Sequence, residues 1–205
     1  MDWHPRMARD LAVLDHRLRP ETEVPPAVYE VVRRVVYATG DPALLTQLQI
    51  SRAVLGAGAA ALAARCPVVV DSIAIQSALG QSLPRSFANP LYCAAAALAR
   101  PHWQQPGVVR GMEALVQRCP RGLYVVGESV DALEALVGLI ELKQVLPALV
   151  VATPPGWGAA AATKERLKAT AIPWIMVEGE RGGSAIAIAI LDALIELTQA
   201  SRSGV

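Results

Sequence analysis

Glu178-Gly179-Glu180-Arg181-Gly182-Gly183-Ser184 sets a cation, carboxylates, a glycine pair and a hydroxyl directly after the apolar run Trp174-Ile175-Met176-Val177. Adjacent glycines let a backbone turn close to a ligand, and the free N–H groups of a following helix carry partial positive charge. The chemistry on offer is recognition of an anion. The same turn is also an ordinary way to join a strand to a helix, so taken alone it has two readings, cradle and connection.

Other chemistry-bearing residues follow similar apolar runs. Asp71-Ser72 comes after Pro67-Val68-Val69-Val70, Gly127-Glu128-Ser129 after Leu123-Tyr124-Val125-Val126, and Thr153-Pro154-Pro155-Gly156-Trp157-Gly158 after Ala148-Leu149-Val150-Val151-Ala152. Asp71 suits either chemistry or capping of the next helix or its loop. Trp157 either stacks on a flat ligand or packs as the lid of a stiff proline turn. Lys164, one or two turns into a helix, reaches a ligand or stays solvated. Tyr37 suits a helix end with its ring in the core and its hydroxyl at the surface, or a ligand contact. His102, beside Trp103 in a Pro/Gln-rich stretch, reads as exposed rather than as a metal ligand. Gly127-Glu128-Ser129 lacks the nucleophile-elbow pattern, and no histidine is placed to complete a triad. Gly56-Ala57-Gly58 lies within an alanine-rich helical stretch rather than after a strand, which speaks for helix packing over dinucleotide binding.

Short Val/Ile runs alternating with longer Ala/Leu-rich segments predict βαβ units and a parallel sheet, hence an α/β fold. The runs are continuously apolar, so both faces of the sheet are expected to be covered. Ser129 caps a helix with Leu133, Leu136, Val137 and Ile140 on one stripe. Pro25-Pro26 opens a helix through Val28, Val31, Val32 and Val35, and Ser184 precedes a long apolar helix to about Thr198. In such a sheet ligands gather beyond the carboxyl ends of the strands, where the residues named above fall.

With 205 residues, 53% of them apolar, the chain suits one well-buried domain over residues 25–200, flanked by polar segments at 1–24 and 201–205. A net charge of +1 gives no footprint for nucleic acid, and Arg33-Arg34 reads as a solvated helix face. Three cysteines far apart, Cys66, Cys93 and Cys119, favour buried thiols over a disulfide framework or a metal site. The first residues lack the apolar core of a signal peptide, and Asp192 and Glu196 interrupt the apolar run near the C-terminus. The expectation is a soluble cytoplasmic protein without membrane contact.

The order of Val36-Tyr37-Ala38-Thr39-Gly40-Asp41, Val70-Asp71, Val125-Val126-Gly127-Glu128, Pro147-Ala148-Leu149-Val150, Pro155-Gly156-Trp157 through Thr163-Lys164, and Gly179-Glu180-Arg181-Gly182-Gly183-Ser184-Ala185 resembles the precorrin-8X methylmutase family of cobalamin biosynthesis. The similarity runs through residues 28–195. It implies a three-layer α/β/α Rossmann-like sandwich with a mainly parallel sheet, usually a homodimer with its sites near the interface. It also implies a cofactor-free isomerisation that moves a methyl group from C-11 to C-12 of a corrin precursor, giving hydrogenobyrinate or its cobalt equivalent. Such a substrate is a carboxylate-rich tetrapyrrole, which suits glycine turns, helix N-termini and a few cations. Carried onto this chain, the resemblance makes Tyr37 the catalytic position. It makes Thr39, Gly40, Asp71, Gly127, Glu128, Gly156, Trp157, Lys164, Arg181, Gly182, Gly183 and Ser184 the substrate-binding set, with no metal.

Three departures bear on chemistry. Family members typically carry His in a segment like Ile/Val-His-Ala-Thr/Cys-Gly, where this chain has Tyr37. A phenol is ordinarily a weaker acid than an imidazolium by about 3.5 pKa units, so full proton transfer is less favourable by roughly 5 kcal/mol. A Thr-Arg-Ser segment of the family falls in register with Pro106-Gly107-Val108, with Arg110 displaced by three residues. Gly127-Glu128-Ser129-Val130-Asp131-Ala132 stands where relatives tend to have Gly-Asn-Ala-Pro-Thr-Ala, which adds acids where an acidic substrate would approach. Two functions follow: an isomerase with an altered proton donor, or a descendant that binds a tetrapyrrole or a protein without turnover.

Overall fold

The computed structural model describes residues 5–18, 24–97 and 105–202. His4, His102 and Trp103, and with them the reading of His102 as exposed, lie outside the described residues. Along the chain the elements are α1 (Pro5–Leu18), α2 (Pro26–Thr39), α3 (Leu44–Gln47), β1 (Leu48–Ile50), α4 (Val54–Ala63), β2 (Val68–Val70), α5 (Ile73–Arg85) and β3 (Leu91–Cys93). They continue with α6 (Gly107–Arg118), β4 (Leu123–Val126), α7 (Val130–Glu141), β5 (Leu149–Ala152), α8 (Ala159–Lys168), β6 (Trp174–Val177) and α9 (Ser184–Arg202).

The strands form one sheet in the order β1-β6-β5-β4-β2-β3, parallel except for β1, which pairs antiparallel with β6. Alternation along the strands divides the side chains between two layers. Val68, Val70, Leu123, Val125, Leu149, Val151, Ile175 and Val177 face a core shared with α2, α4, α5 and α9. Val69, Tyr124, Val126, Val150, Ala152 and Met176 face the other, shared with α6, α7 and α8. Each such side chain, fully buried, contributes roughly 1.5–3 kcal/mol, and filling both faces explains why the runs lack polar alternation. The result is the three-layer sandwich expected.

Helix α9 is apolar and long enough to cross a membrane by length and composition. In the fold it lies in the core: Ile186, Ala187, Ile190, Leu191 and Leu194 are buried against α2, α4, α5 and the sheet. Gly58 of α4 is buried facing Leu149 and Leu194, where a Cβ would be in ordinary contact. Within the expected polar segment, residues 5–18 form a helix on α2. Its Leu11 is buried, and Asp15 accepts hydrogen bonds from the Tyr29 hydroxyl at 2.9 Å and Arg33 Nη1 at 2.7 Å. At the other end α9 runs to Arg202, into the expected tail.

Candidate functional site

From β2 the chain passes through α5 to β3 on one side, and from β4 through α7 and α8 to β5 and β6 on the other. The direction of winding therefore reverses between β2 and β4. At such a switch point the connecting loops part and leave a crevice beyond the carboxyl ends of the strands. Asp71 ends β2 there. Its Oδ1 accepts from Gly127 N at 3.0 Å, and its Oδ2 from Glu128 N at 2.8 Å and Ser129 N at 2.7 Å. At 2% exposure it clips the loop after β4 to the end of β2. Ser72 caps α5 by accepting from Ile75 N, and Ser129 caps α7 by accepting from Ala132 N at 3.1 Å. Ser184 opens α9, and its hydroxyl donates to Glu128 Oε1 while lying 3.2 Å from Ser72 Oγ. Three helix N-termini thus meet around Glu128. Gly127 allows this convergence, since a Cβ there would stand 2.6 Å from Ile75 Cδ1 and 3.2 Å from Ser184 Cα.

The loops after β5 and β6 form the adjoining wall and are bonded to each other. Gly183 N donates to Thr153 O at 2.7 Å, Thr153 Oγ1 to Gly183 O at 3.1 Å, and Gly156 N to Gly179 O at 2.9 Å. A Cβ on Gly182 would stand 2.5 Å from Pro155 N, so the two backbones touch, and Gly183 turns at φ +109°. Lys164, 3% exposed, donates from Nζ to Pro154 O at 2.6 Å in the loop after β5 and to Val177 O at 2.7 Å at the end of β6. Burial pushes its pKa down to about 8. A hollow of about 430 Å³ beside it is bordered by Gly156, Lys164, Lys168, Glu178 and Gly179.

Tyr37 lies in the last turn of α2, 38% exposed, with its hydroxyl donating to Asp10 of α1 at 3.3 Å. It borders a hollow of about 450 Å³ with Val13, Arg17, Gly40 and Pro42. Gly40 ends α2 at φ +69° by donating to Val36 O. Thr39 turns its hydroxyl back onto Val35 O at 2.7 Å. The next residue, Asp41, pairs with Arg181, whose guanidinium holds the carboxyl below its ordinary pKa. That ion pair ties the end of α2 to the turn before α9.

A model of the CbiC family, precorrin-8X methylmutase, matches residues 7–197. The chain belongs to the precorrin-8X methylmutase family. It is 28% identical to the cobalt-precorrin-8 methylmutase of Synechocystis over 95% of each chain. It is 30% identical to the enzyme of that name from Leptospira interrogans over 83% of each. The solved precorrin-8X methylmutase of Thermus thermophilus superposes with a TM-score of 0.83 at 28% identity, covering 97% of this chain and 98% of that one.

Within this family member, the expected site residues sort into groups. Glu128 and Ser184 lie together at the switch point with open surface around them. Asp71, Gly127, Gly156, Lys164 and Gly182 also lie at the crevice, but their polar atoms or close approaches are taken up by its own walls. All three amide bonds of Asp71 and both carbonyl bonds of Lys164 run inward, so Asp71 caps the loop after β4, one of its two expected roles. Burial corrects the picture of Lys164 as a solvated lysine. Trp157 is 62% exposed, so it is no packed lid. Arg181 faces Asp41, and Tyr37, Thr39 and Gly40 form a separate corner by α1. Ser72 and Thr153, read at their strand ends, join the site through these bonds, and Asp41 and Asp10 join it without having been assigned a role. Ser72 had a signal, a good N-cap residue directly after a strand. Among the described residues no group of three or more His, Cys, Asp or Glu is placed to hold a metal ion.

Proposed function

We propose that this chain isomerises a corrin precursor by moving a methyl group from C-11 to C-12, giving hydrogenobyrinate or its cobalt-bearing counterpart. The carrying observation is the switch-point crevice of a precorrin-8X methylmutase-family fold, where the N-termini of α5, α7 and α9 converge. A disc-shaped ligand rich in carboxylates finds backbone N–H groups and hydroxyls along that crevice, and Trp157 offers an open indole face for the macrocycle. Tyr37 is the catalytic residue of this proposal, hydrogen-bonding a ring nitrogen as the methyl group migrates, and the Asp41–Arg181 pair couples its turn to the crevice. No cofactor takes part. A homodimer in the cytoplasm belongs to the same proposal, and sedimentation velocity should give twice the 21.7 kDa of the chain.

The test is incubation of the purified protein with precorrin-8, following the absorption change to hydrogenobyrinate, with Tyr37→His in parallel. Conversion by wild type is expected, and the imidazole should speed it by about 10²-fold, the low end for a well-placed general acid. Binding by wild type without conversion would leave a tetrapyrrole binder and remove the isomerase. Absence of any corrin binding would remove both.

A further inference from the structure

The cations around the crevice are already engaged. Arg181 is paired with Asp41, Lys164 with two backbone carbonyls, and Lys168 with Glu165 and Glu178. Glu128, by contrast, is exposed at the switch point, pairs with no cation among the described residues, and receives only the Ser184 hydroxyl. The other titratable groups at this corner do not compensate it: Asp71 is saturated by amides, Asp131 in the first turn of α7 is exposed, and Glu180 in the turn before α9 is a second acid. A carboxylate arriving beside Glu128 would meet like charge, whereas an N–H or protonated nitrogen would meet an acceptor with room to spare.

A corrin precursor carries both kinds of group, carboxylates on its rim and nitrogens at its centre. We propose that Glu128 determines how the metal-free ligand sits, by acting as counter-ion to a protonated nitrogen of the macrocycle while the rim carboxylates lie away from this corner. This rests on the corrin assignment above and extends it to orientation and protonation. The carboxylate forms no bond to the ligand and gives up no proton. A ring nitrogen takes a proton from water, holds it against Glu128 through the methyl shift, and returns it to water afterwards. An adjacent anion favours the charged form of a base, so less acid strength is required of Tyr37.

Hydrogenobyrinate, whose absorption reports the protonation of its chromophore, is the probe. Bound to wild type and to Glu128→Asp, it should stay protonated to a pH about one unit higher than when bound to Glu128→Gln, and Glu128→Gln should bind it about tenfold more weakly at pH 7. The thermal midpoint of Glu128→Gln should match wild type, because the side chain is exposed, which separates counter-ion from scaffold. Equal or tighter binding by Glu128→Gln with an unchanged pH profile overturns the counter-ion role and leaves the corrin assignment standing. No binding by wild type overturns both together.

Discussion

At the switch point Asp71 takes three backbone amides and Lys164 takes two backbone carbonyls, while at the end of α2 Tyr37 makes one 3.3 Å contact from a half-exposed ring. The first region is fixed by buried bonds between chain segments far apart in sequence. The second is held by a helix cap and an exposed ion pair. Buried charge-assisted bonds carry several times the energy of exposed pairs, so the crevice is a preformed mould and the Tyr37 corner is adjustable. Substitutions of the buried wall residues should act on stability and binding together, and those at Tyr37 on rate alone.

The largest effect is expected from Asp71→Ala, which strands three amides. At roughly 1–3 kcal/mol each with partial rescue by water, urea unfolding should show a loss of about 4 kcal/mol, and Asp71→Asn, which keeps an acceptor oxygen, a smaller one. Unchanged stability with lost ligand binding would move Asp71 from the mould to the ligand. Next comes a pH effect. Lys164 has a folded pKa of about 8, below its ordinary 10.5, so between those values the unfolded chain holds more protons than the native one. Stability contributed through Lys164 should therefore rise with pH across that window, by about 3 kcal/mol relative to Lys164→Met. A flat difference between the two unfolding curves would mean that the ammonium is not buried in solution. Gly182→Ala drives a methyl group into the backbone of residues 153–155 and should cost about 2 kcal/mol, with weakened binding as the turn shifts. Tyr37→Phe should be smallest, within about 0.5 kcal/mol in stability. Its cost should appear as about a tenfold fall in turnover at unchanged affinity; a large stability loss there would erase the contrast between the regions.

Sequence reading succeeds where structure is local. β2, β4, β5 and β6 announce themselves as continuous apolar runs, and Ser129 and Ser184 mark helix starts in the residues beside them. β1 and β3 escape notice because each is a three-residue edge strand whose residues are mostly half-buried. α1 escapes because Leu11 and Leu14 are its main inward anchors in a charged stretch, and only packing on α2 gives them a core. The site was legible as a set of loop ends but not as a set of bonds. Asp71 finds amides 56 to 58 residues away, and Asp41 pairs with an arginine 140 residues away. The partners of Lys164 are backbone carbonyls, which any sequence would supply. What the letters of such residues conceal is the direction their side chains face, and that is decided by which loops the sheet order brings together.

The structure of the protein with hydrogenobyrinate bound would test the central claim most directly. The macrocycle should cover the Ser72–Glu128–Ser184 corner with one edge reaching the Tyr37 hydroxyl, over walls that keep the Asp71 and Lys164 bonds. A pigment confined to the hollow between α1 and α2, away from Glu128, would contradict it.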